Sequence, residues 1–576
     1  MTRIRTWCTV RATAAAAAVA MTTTPAVASP AGPPRARPRL VVIMVVDQMR
    51  ADYVDRYGHQ WTAGLKRLTE QGASFKLAAY PYLNTVTCAG HATIGTGAFP
   101  RSHGVILNEW WDRSSGTLQP CTDDANVSAI SYGKPVSGGH SAWALRLPTL
   151  ADEMRAQLPV RPRVVSISLK PRSAIMPAGR RADAILWFDD EGEWATSTAY
   201  AAAPVPFVQR VVAANPLEKQ FEMVWTRALD ASAYLFEDAS AAERPPAGWT
   251  TIFPHPLAGD GSSSGARHER WDRSPFSDDY IGLLVEAAID ELKLGQGPGT
   301  DYLAVSFSAL DRVGHRFGPR SHEVQDTLVR LDRTIGRLLD HLDRAVGRDQ
   351  YALALTADHG VSPIAEQIQA EGLPAARLNP QKIGESVNKV LETRLGPGPH
   401  VARMQYTDLY FAPGVYDRVR ANPQAMQAAI DALLAVEGVW RVFRSEDLAA
   451  GVETWDLVKR AAALSYVEGR SGDLIVVPKP YFSLSSEPAT HGTAHQYDTR
   501  VPIILFGAGI RPGEYLTPAT PADIAPTLAF LAGVTMSAAE GRVLGEALDT
   551  RSAASSPAGA NGKPASNNHR DPRDWR

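Results

Sequence analysis

Seven consecutive apolar residues, Leu40–Val46, open the patterned part of the chain. An unbroken Val/Ile/Leu run of that length suits a strand buried on both faces, as in a parallel sheet. Similar runs recur at Val164–Ser168, Leu303–Phe307, Ala352–Thr356, Leu474–Val477 and Ile503–Phe506. Between several of them apolar residues fall three and four apart, most clearly from Thr327 to Val346, which predicts a helix with one buried face. Strands alternating with helices predict an α/β/α sandwich around a central, mostly parallel sheet. Two long stretches, about 110–300 and about 364–470, interrupt this rhythm and read as insertions that carry accessory subdomains. Within the second, Met404–Phe411, Pro423–Val436 and Val439–Phe443 read as strand, helix and strand.

The ends of the chain follow other rules. Arg3, Arg5 and Arg11 precede an Ala-rich stretch from Ala12 to Met21, and Ala26 and Ala28 form an Ala-x-Ala cleavage pattern. Residues 1–28 therefore read as a secretory signal, too short to span a bilayer as a stable helix. This predicts a periplasmic or secreted protein without a transmembrane segment. Residues 29–39 read as a leader, 40–550 as one catalytic unit with the two insertions, and 551–576 as a disordered tail rich in Ser, Ala, Pro and Asn. At 576 residues, 44% hydrophobic and 21% charged, the chain has the composition of an ordinary globular protein and is no collagen-like or wholly disordered sequence. Its net charge of −2 offers no positive field for nucleic acid. Loss of the signal also removes Cys8, leaving Cys88 and Cys121, which are free to pair but not required to.

The candidate chemistry follows the strands, where open α/β sheets bind their ligands. Asp47 comes directly after the first run. Asp311 follows the run ending at Phe307, and His315 lies one helical turn further on the same face. Asp358 and His359 follow the run ending at Thr356, and His491 stands in Thr490-His491-Gly492 before the last run. One aspartate at a strand end is most simply a helix cap. The same coincidence at strand after strand is better explained by metal. An Asp/His set without thiolate suits Zn²⁺, and six ligands are too many for one tetrahedral ion, so two ions roughly 4 Å apart are expected.

Two further clusters suit a phosphoryl group. In Asn84-Thr85-Val86-Thr87-Cys88-Ala89-Gly90-His91, Thr87 is expected at the N-cap of a helix, where free N–H groups favour an anion. A hydroxyl held there beside two cations can attack phosphorus. Thr85 competes for that role. Lys170 and Arg172, two apart in what reads as an extended segment, are expected to point to one side and grip a phosphate.

Taken together these residues resemble the alkaline phosphatase superfamily, most closely its secreted, phosphate-irrepressible branch with a threonine nucleophile. The ordered set carries the resemblance: Asp47, Thr87 in Thr-Cys-Ala-Gly-His, Thr96-Gly97, Ser102-His103-Gly104, Asp311-x-x-x-His315, Asp358-His359-Gly360, Thr490-His491-Gly492 and Tyr497-Asp498-Thr499. It implies one zinc held by Asp47, Thr87, Asp358 and His359 and a second held by Asp311, His315 and His491. His495 lies near the last position, but His491 precedes glycine as the family's ligand does. Asn108 matches the asparagine that donates to a phosphoryl oxygen, and Lys170 and Arg172 match the Lys-x-Arg pair of the monoesterase branch. The implied activity is hydrolysis of small phosphate monoesters through a phosphothreonine, with release of inorganic phosphate. The alternative is a phosphodiesterase or nucleotide pyrophosphatase of the same superfamily. A sulfatase needs Cys-x-Pro-x-Arg, and Cys88 is followed by Ala89, Gly90, His91 and Ala92. A protein that captures phosphate without turnover has no need of an intact nucleophile.

Overall fold

A computed structural model describes residues 37–259 and 264–549. The signal segment, the tail and nearly all of the leader lie outside the described residues. Strands β1 (Leu40–Val46), β2 (Ala73–Phe75), β3 (Ala129–Ser131), β4 (Val164–Ser168), β5 (Ala184–Phe188), β6 (Trp194–Ser197), β7 (Asp301–Phe307), β8 (Tyr351–Thr356), β9 (Ile503–Gly507) and β10 (Gly513–Tyr515) form one sheet. Its order is β10-β2-β9-β8-β1-β7-β4-β5-β6-β3. The middle five, β8-β1-β7-β4-β5, run parallel. β9 is antiparallel to β8, β6 is antiparallel to β5, and β3 is antiparallel to β6.

The first strand shows why an apolar run marks the centre of such a sheet. Leu40, Val42, Met44 and Val46 enter the core on one face, and Val41, Ile43 and Val45 the core on the other. Side chains alternate along a strand, so both sets must be apolar when both faces are covered. Among the described residues the helices that bear on the site are α1 (Thr87–Thr96), α2 (Pro171–Ala178), α3 (Ser264–Asp272), α4 (Pro275–Glu291), α5 (Ala309–Phe317) and α6 (His322–Ala345). α4 and α6 cover the first face, while α1 and α2 cover the second. α6 starts five residues before the periodic stretch, because the Ser321 hydroxyl accepts the Val324 N–H and caps it. None of the described helices is long and apolar enough to cross a membrane.

Periodicity does not say which sheet a strand joins. Leu474–Pro478 lies outside the main sheet, in an antiparallel four-stranded sheet ordered Val401–Gln405, Asp408–Phe411, Leu474–Pro478, Val439–Arg444. It is apolar throughout because Leu474 and Val476 enter one small core while Ile475 and Val477 enter another. Helices Pro380–Leu395 and Pro423–Leu434 pack on this sheet. Residues 110–300, by contrast, supply β3, β4, β5 and β6 to the main sheet.

The loop before α3 carries a buried acid with a consequence for stability. Burial pushes the Glu243 carboxyl up to about 8 from an ordinary 4.5. The folded chain therefore holds this proton up to about pH 8, and the unfolded chain loses it near 4.5. Between those values the native state binds more protons, so stability falls as pH rises and stays reduced above the window. Glu243→Gln removes the effect. Its melting temperature relative to the parent chain is expected to rise by a few °C, on the order of one to several kcal/mol, between pH 5 and pH 9. An unchanged difference across that range contradicts the assignment.

Candidate active site

β8, β1, β7 and β4 are neighbours in the sheet although, along the chain, these four strands begin as far apart as residues 40 and 351. Their carboxyl ends deliver Asp358, Asp47, the start of α5 with Asp311, and Lys170 side by side, since adjacent strands lie only about 4.8 Å apart. All four are buried. Gln48 ties the row together: its N–H donates to Asp358 Oδ1 at 3.1 Å and its Nε2 to Asp311 Oδ1 at 2.7 Å. It does so from a left-handed backbone at φ 71°, strain of the kind retained at functional sites. Gly90 matters for the opposite wall. A Cβ there would sit 2.3 Å from the Asp358 carbonyl oxygen, so α1 reaches the end of β8 only with glycine.

The imidazoles are oriented by their backbone partners. His359 Nδ1 pairs with the Gly360 carbonyl at 2.9 Å, His491 Nδ1 with Thr85 at 2.9 Å and His315 Nδ1 with Ala489 at 2.8 Å. A carbonyl only accepts, so each Nδ1 carries the proton and each Nε2 is left with its lone pair. Those Nε2 atoms turn toward the carboxylates: His359 to Asp358 at 3.2 Å and Asp47 at 3.5 Å, His315 to Asp311 at 3.2 Å, His491 to Asp311 at 3.8 Å. Among the described residues two triads have ligand atoms all within 4.8 Å of one another, Asp47–Asp358–His359 and Asp311–His359–His491. The second triad includes His359, whose ring stacks on His491 with centroids 3.4 Å apart, while His315 adjoins it with its ring 5.2 Å from His491. His495 is turned away and pairs with the Pro478 carbonyl.

Such a set fits divalent ions. Among the described residues Asp47 Oδ1 and Asp358 Oδ2 are buried without a hydrogen-bond donor, a cost of about 1–3 kcal/mol or more each that a cation would relieve. Histidines that donate Nδ1–H to a carbonyl and present Nε2 have the outer-shell arrangement of metal ligands.

The hydroxyls divide cleanly. Thr85 Oγ1 donates to the Thr493 carbonyl at 2.8 Å, whereas Thr87 Oγ1 lies 3.3 Å from His359 Nε2. Thr87 is the first residue of α1 rather than its N-cap; Val86 occupies the cap, and no side chain caps the helix. Asn108 Oδ1 accepts the Cys88 N–H at 2.8 Å, which leaves its amide N–H groups as donors. Cys88 and Cys121 are joined in a disulfide, so the segment carrying Asn108 is tied to the start of α1. Lys170 and Arg172 do not sit on one extended segment, because Pro171 opens α2 and makes Lys170 its N-cap. Both still line one cavity of about 210 Å³ with Thr87, Asn108, Asp311, His315 and His491. The Lys170 ammonium donates to Asp47 Oδ2 at 2.6 Å and Asp311 Oδ2 at 2.5 Å.

Charge follows from that packing. Burial, with repulsion from Asp311 and Asp358, holds the Asp47 carboxyl well above the usual range despite Lys170. Burial acts on Asp311 too, but Lys170 and His315 outweigh it and hold that carboxyl well below. Asp358 is also lowered, because His359 and His91 overcome its burial. His359 and His491 are held below the ordinary imidazole range, chiefly by burial. His315 is raised, since Asp311 prevails over burial.

Several participants carry no sequence signal of their own. Gln48 is marked only by following Asp47. His91 stands inside the Thr-Cys-Ala-Gly-His motif; its Nδ1 meets the Thr87 carbonyl at 2.9 Å and its Nε2 the Ser306 hydroxyl at 2.8 Å. Tyr406 comes from the hairpin turn of the small sheet, at φ 48°, and lines the cavity. Arg273, Arg312 and Arg316 line it as well.

Residues 41–498 match the family model described as type I phosphodiesterase / nucleotide pyrophosphatase. The chain is 31% identical over 502 residues to the alkaline phosphatase PhoV of Synechococcus elongatus, covering 86% of this chain and 90% of that one. It is 31% identical over 513 residues to the alkaline phosphatase PafA of Elizabethkingia meningoseptica, covering 86% and 91%. The crystal structure of wild-type PafA superposes with a TM-score of 0.83 at 29% identity, over 89% of this chain and 99% of that one. A variant of that enzyme altered at a threonine, an asparagine, a lysine and an arginine superposes equally well. The same intervals separate Thr87, Asn108, Lys170 and Arg172.

Proposed function

Because the chain belongs to the alkaline phosphatase superfamily, in the branch of PafA and PhoV, it is an alkaline phosphatase, and we propose that it cleaves small phosphate monoesters through a phosphothreonine formed at Thr87 with two zinc ions. The observation that carries this reading is the Thr87 hydroxyl: uncommitted to any cap, 3.3 Å from His359 Nε2, and facing a cavity lined by Asn108, Lys170 and Arg172. Asp47, Asp358 and His359 would hold one ion beside Thr87; Asp311, His315 and His491 would hold the other. When bound, such ions supply Lewis-acid charge that lowers the pKa of a hydroxyl and neutralises phosphoryl oxygens.

The chain's own residues do the rest. Thr87 Oγ1 forms a bond to phosphorus as the ester oxygen leaves from the opposite side. Water then attacks the phosphothreonine in the same in-line manner, releasing phosphate and restoring the hydroxyl. Lys170, Arg172 and the Asn108 amide stabilise charge on the phosphoryl oxygens. Gln48 and His91 position the ligand carboxylates and the start of α1. The Cys88–Cys121 disulfide supports an exported protein, since disulfides are uncommon in reducing compartments.

Initial rates on an aryl phosphate monoester and on its methyl diester, with and without added Zn²⁺, test the reading. A faster diester reaction refutes it. The cations give a sharper expectation, because a monoester dianion has one more anionic oxygen than a diester. Each charge-assisted contact contributes roughly 1.5–3 kcal/mol, so loss of both Lys170 and Arg172 is expected to lower kcat/KM for monoesters by about 10²–10⁴-fold. Diesters should lose much less. Arg172→Ala is the cleaner single probe, since removing Lys170 also bares Asp47 and Asp311. Equal losses on the two substrates would assign the pair to the fold.

A further inference from the structure

α5 carries two stripes. Asp311 and His315, four apart, face the ligand set, and Arg312 and Arg316, also four apart, form the adjacent stripe about 100° round the helix. Arg273, just after α3, joins them in lining the cavity that holds Thr87. Two arginines four apart on a helix repel each other, and a third beside them adds to the cost. Carboxylates hold them in place. Arg312 Nε lies 3.2 Å from Asp272 Oδ2, and Arg273 lies 3.6 Å from the same oxygen and 3.5 Å from Glu269. Arg316 reaches Glu487 at 3.2 Å and Glu269 at 3.9 Å. Of these acids only Glu487 lines the cavity, so Asp272 and Glu269 anchor the guanidinium groups from outside it. Among the described residues the guanidinium N–H groups of Arg273 and Arg312 make ion pairs but no hydrogen bond, and Arg312 Nε is buried without one.

Position sets what this cluster meets. In an in-line displacement the leaving oxygen departs opposite the attacking one. Thr87 attacks from the end of the site held by Asp47, Asp358 and His359, so the leaving group faces the Asp311–His315–His491 end, where α5 continues into its arginine stripe. We propose that Arg273, Arg312 and Arg316 form a second anion subsite for the leaving group, and that the favoured substrates are phosphate monoesters whose alcohol carries a further phosphoryl group. This rests on Thr87 as nucleophile. Guanidinium forks match phosphoryl oxygens in pairs, and a cavity of about 210 Å³ suits a compact bisphosphate.

A matched pair of esters, propane-1,3-diol monophosphate and propane-1,3-diol bisphosphate, tests this on the zinc-loaded enzyme. The expected kcat/KM ratio favours the bisphosphate on the order of tenfold or more, and Arg316→Gln and Arg273→Gln, made singly, should each cut that ratio by roughly tenfold. Calorimetric titration of methylenediphosphonate and of methylphosphonate into the Thr87→Ala protein gives a readout independent of turnover. The diphosphonate should bind more tightly, and each arginine variant should weaken it by about tenfold more than the monophosphonate. Equal effects on the two ligands, or a bisphosphate preference that survives in both variants, overturn the subsite. If neither ester is hydrolysed, the reading of Thr87 fails, and the diphosphonate titration still decides whether the arginines bind a second phosphoryl group.

Discussion

Thr87→Ala is expected to lose on the order of 10⁴-fold or more in kcat on an aryl phosphate while folding normally. The methyl and hydroxyl are buried at the first turn of α1, but the hydroxyl caps nothing, so its removal costs little stability. Thr87→Ser keeps an oxygen at the same place and should retain part of the rate. Thr85→Ala is the informative contrast. Its hydroxyl donates to the Thr493 carbonyl, next to the His491 segment, so its loss should lower stability by about 1 kcal/mol and spare most of the turnover. A dead Thr85→Ala beside an active Thr87→Ala would transfer the nucleophile to Thr85. Rapid quench with a slow aryl ester gives a second check, since phosphate should be trapped on Thr87 and nowhere else.

Chelation is expected to abolish activity, by at least about 10³-fold, with recovery on adding back Zn²⁺ to near two ions per chain. Of three buried carboxylates, Asp47 and Asp311 share a single ammonium, Asp47 Oδ1 and Asp358 Oδ2 lack donors among the described residues, and three imidazoles present bare Nε2 atoms. Acid should act in the same direction, since protons compete for the ligands. The order of loss follows from the packing. Asp311 holds His315 above the ordinary imidazole range, whereas burial keeps His359 and His491 below it. Protons therefore compete first at His315, and one ion should leave before the other as pH falls. Metal analysis across a pH series reads this directly. Full activity of a metal-free preparation would end the two-ion reading, and simultaneous loss of both ions would end the proposed order.

Much of this was legible from residue types alone. A run such as Leu40–Val46 must be covered on both faces, so its place in the middle of a sheet follows from apolar burial without any knowledge of its neighbours. The donors are equally local: Asp47, Asp358 and His359 sit at strand ends because they follow the runs directly, and Asp311 and His315 share a face because they are four apart on a helix. What the one-dimensional pattern could not contain is adjacency. Leu474–Pro478 looks like a main-sheet strand and pairs elsewhere, since burial on two faces is the same whether the covering cores are large or small.

Only the tertiary structure set β8, β1, β7 and β4 side by side, and with them the distances among Asp358, Asp47, Asp311 and Lys170. It also chose between hydroxyls two residues apart, by giving Thr85 a carbonyl to bond and leaving Thr87 without one. Gln48, Tyr406 and the three arginines entered the site the same way, as residues whose own types and spacing carry no mark of it even where, as for Gln48, Arg312 and Arg316, a neighbour does. The physical reason is common to all of them. Periodicity and residue chemistry are properties of a short segment, and they decide which groups a strand or helix offers. Strand order, side-chain donors and charge pairing are long-range, and they decide which of those groups meet.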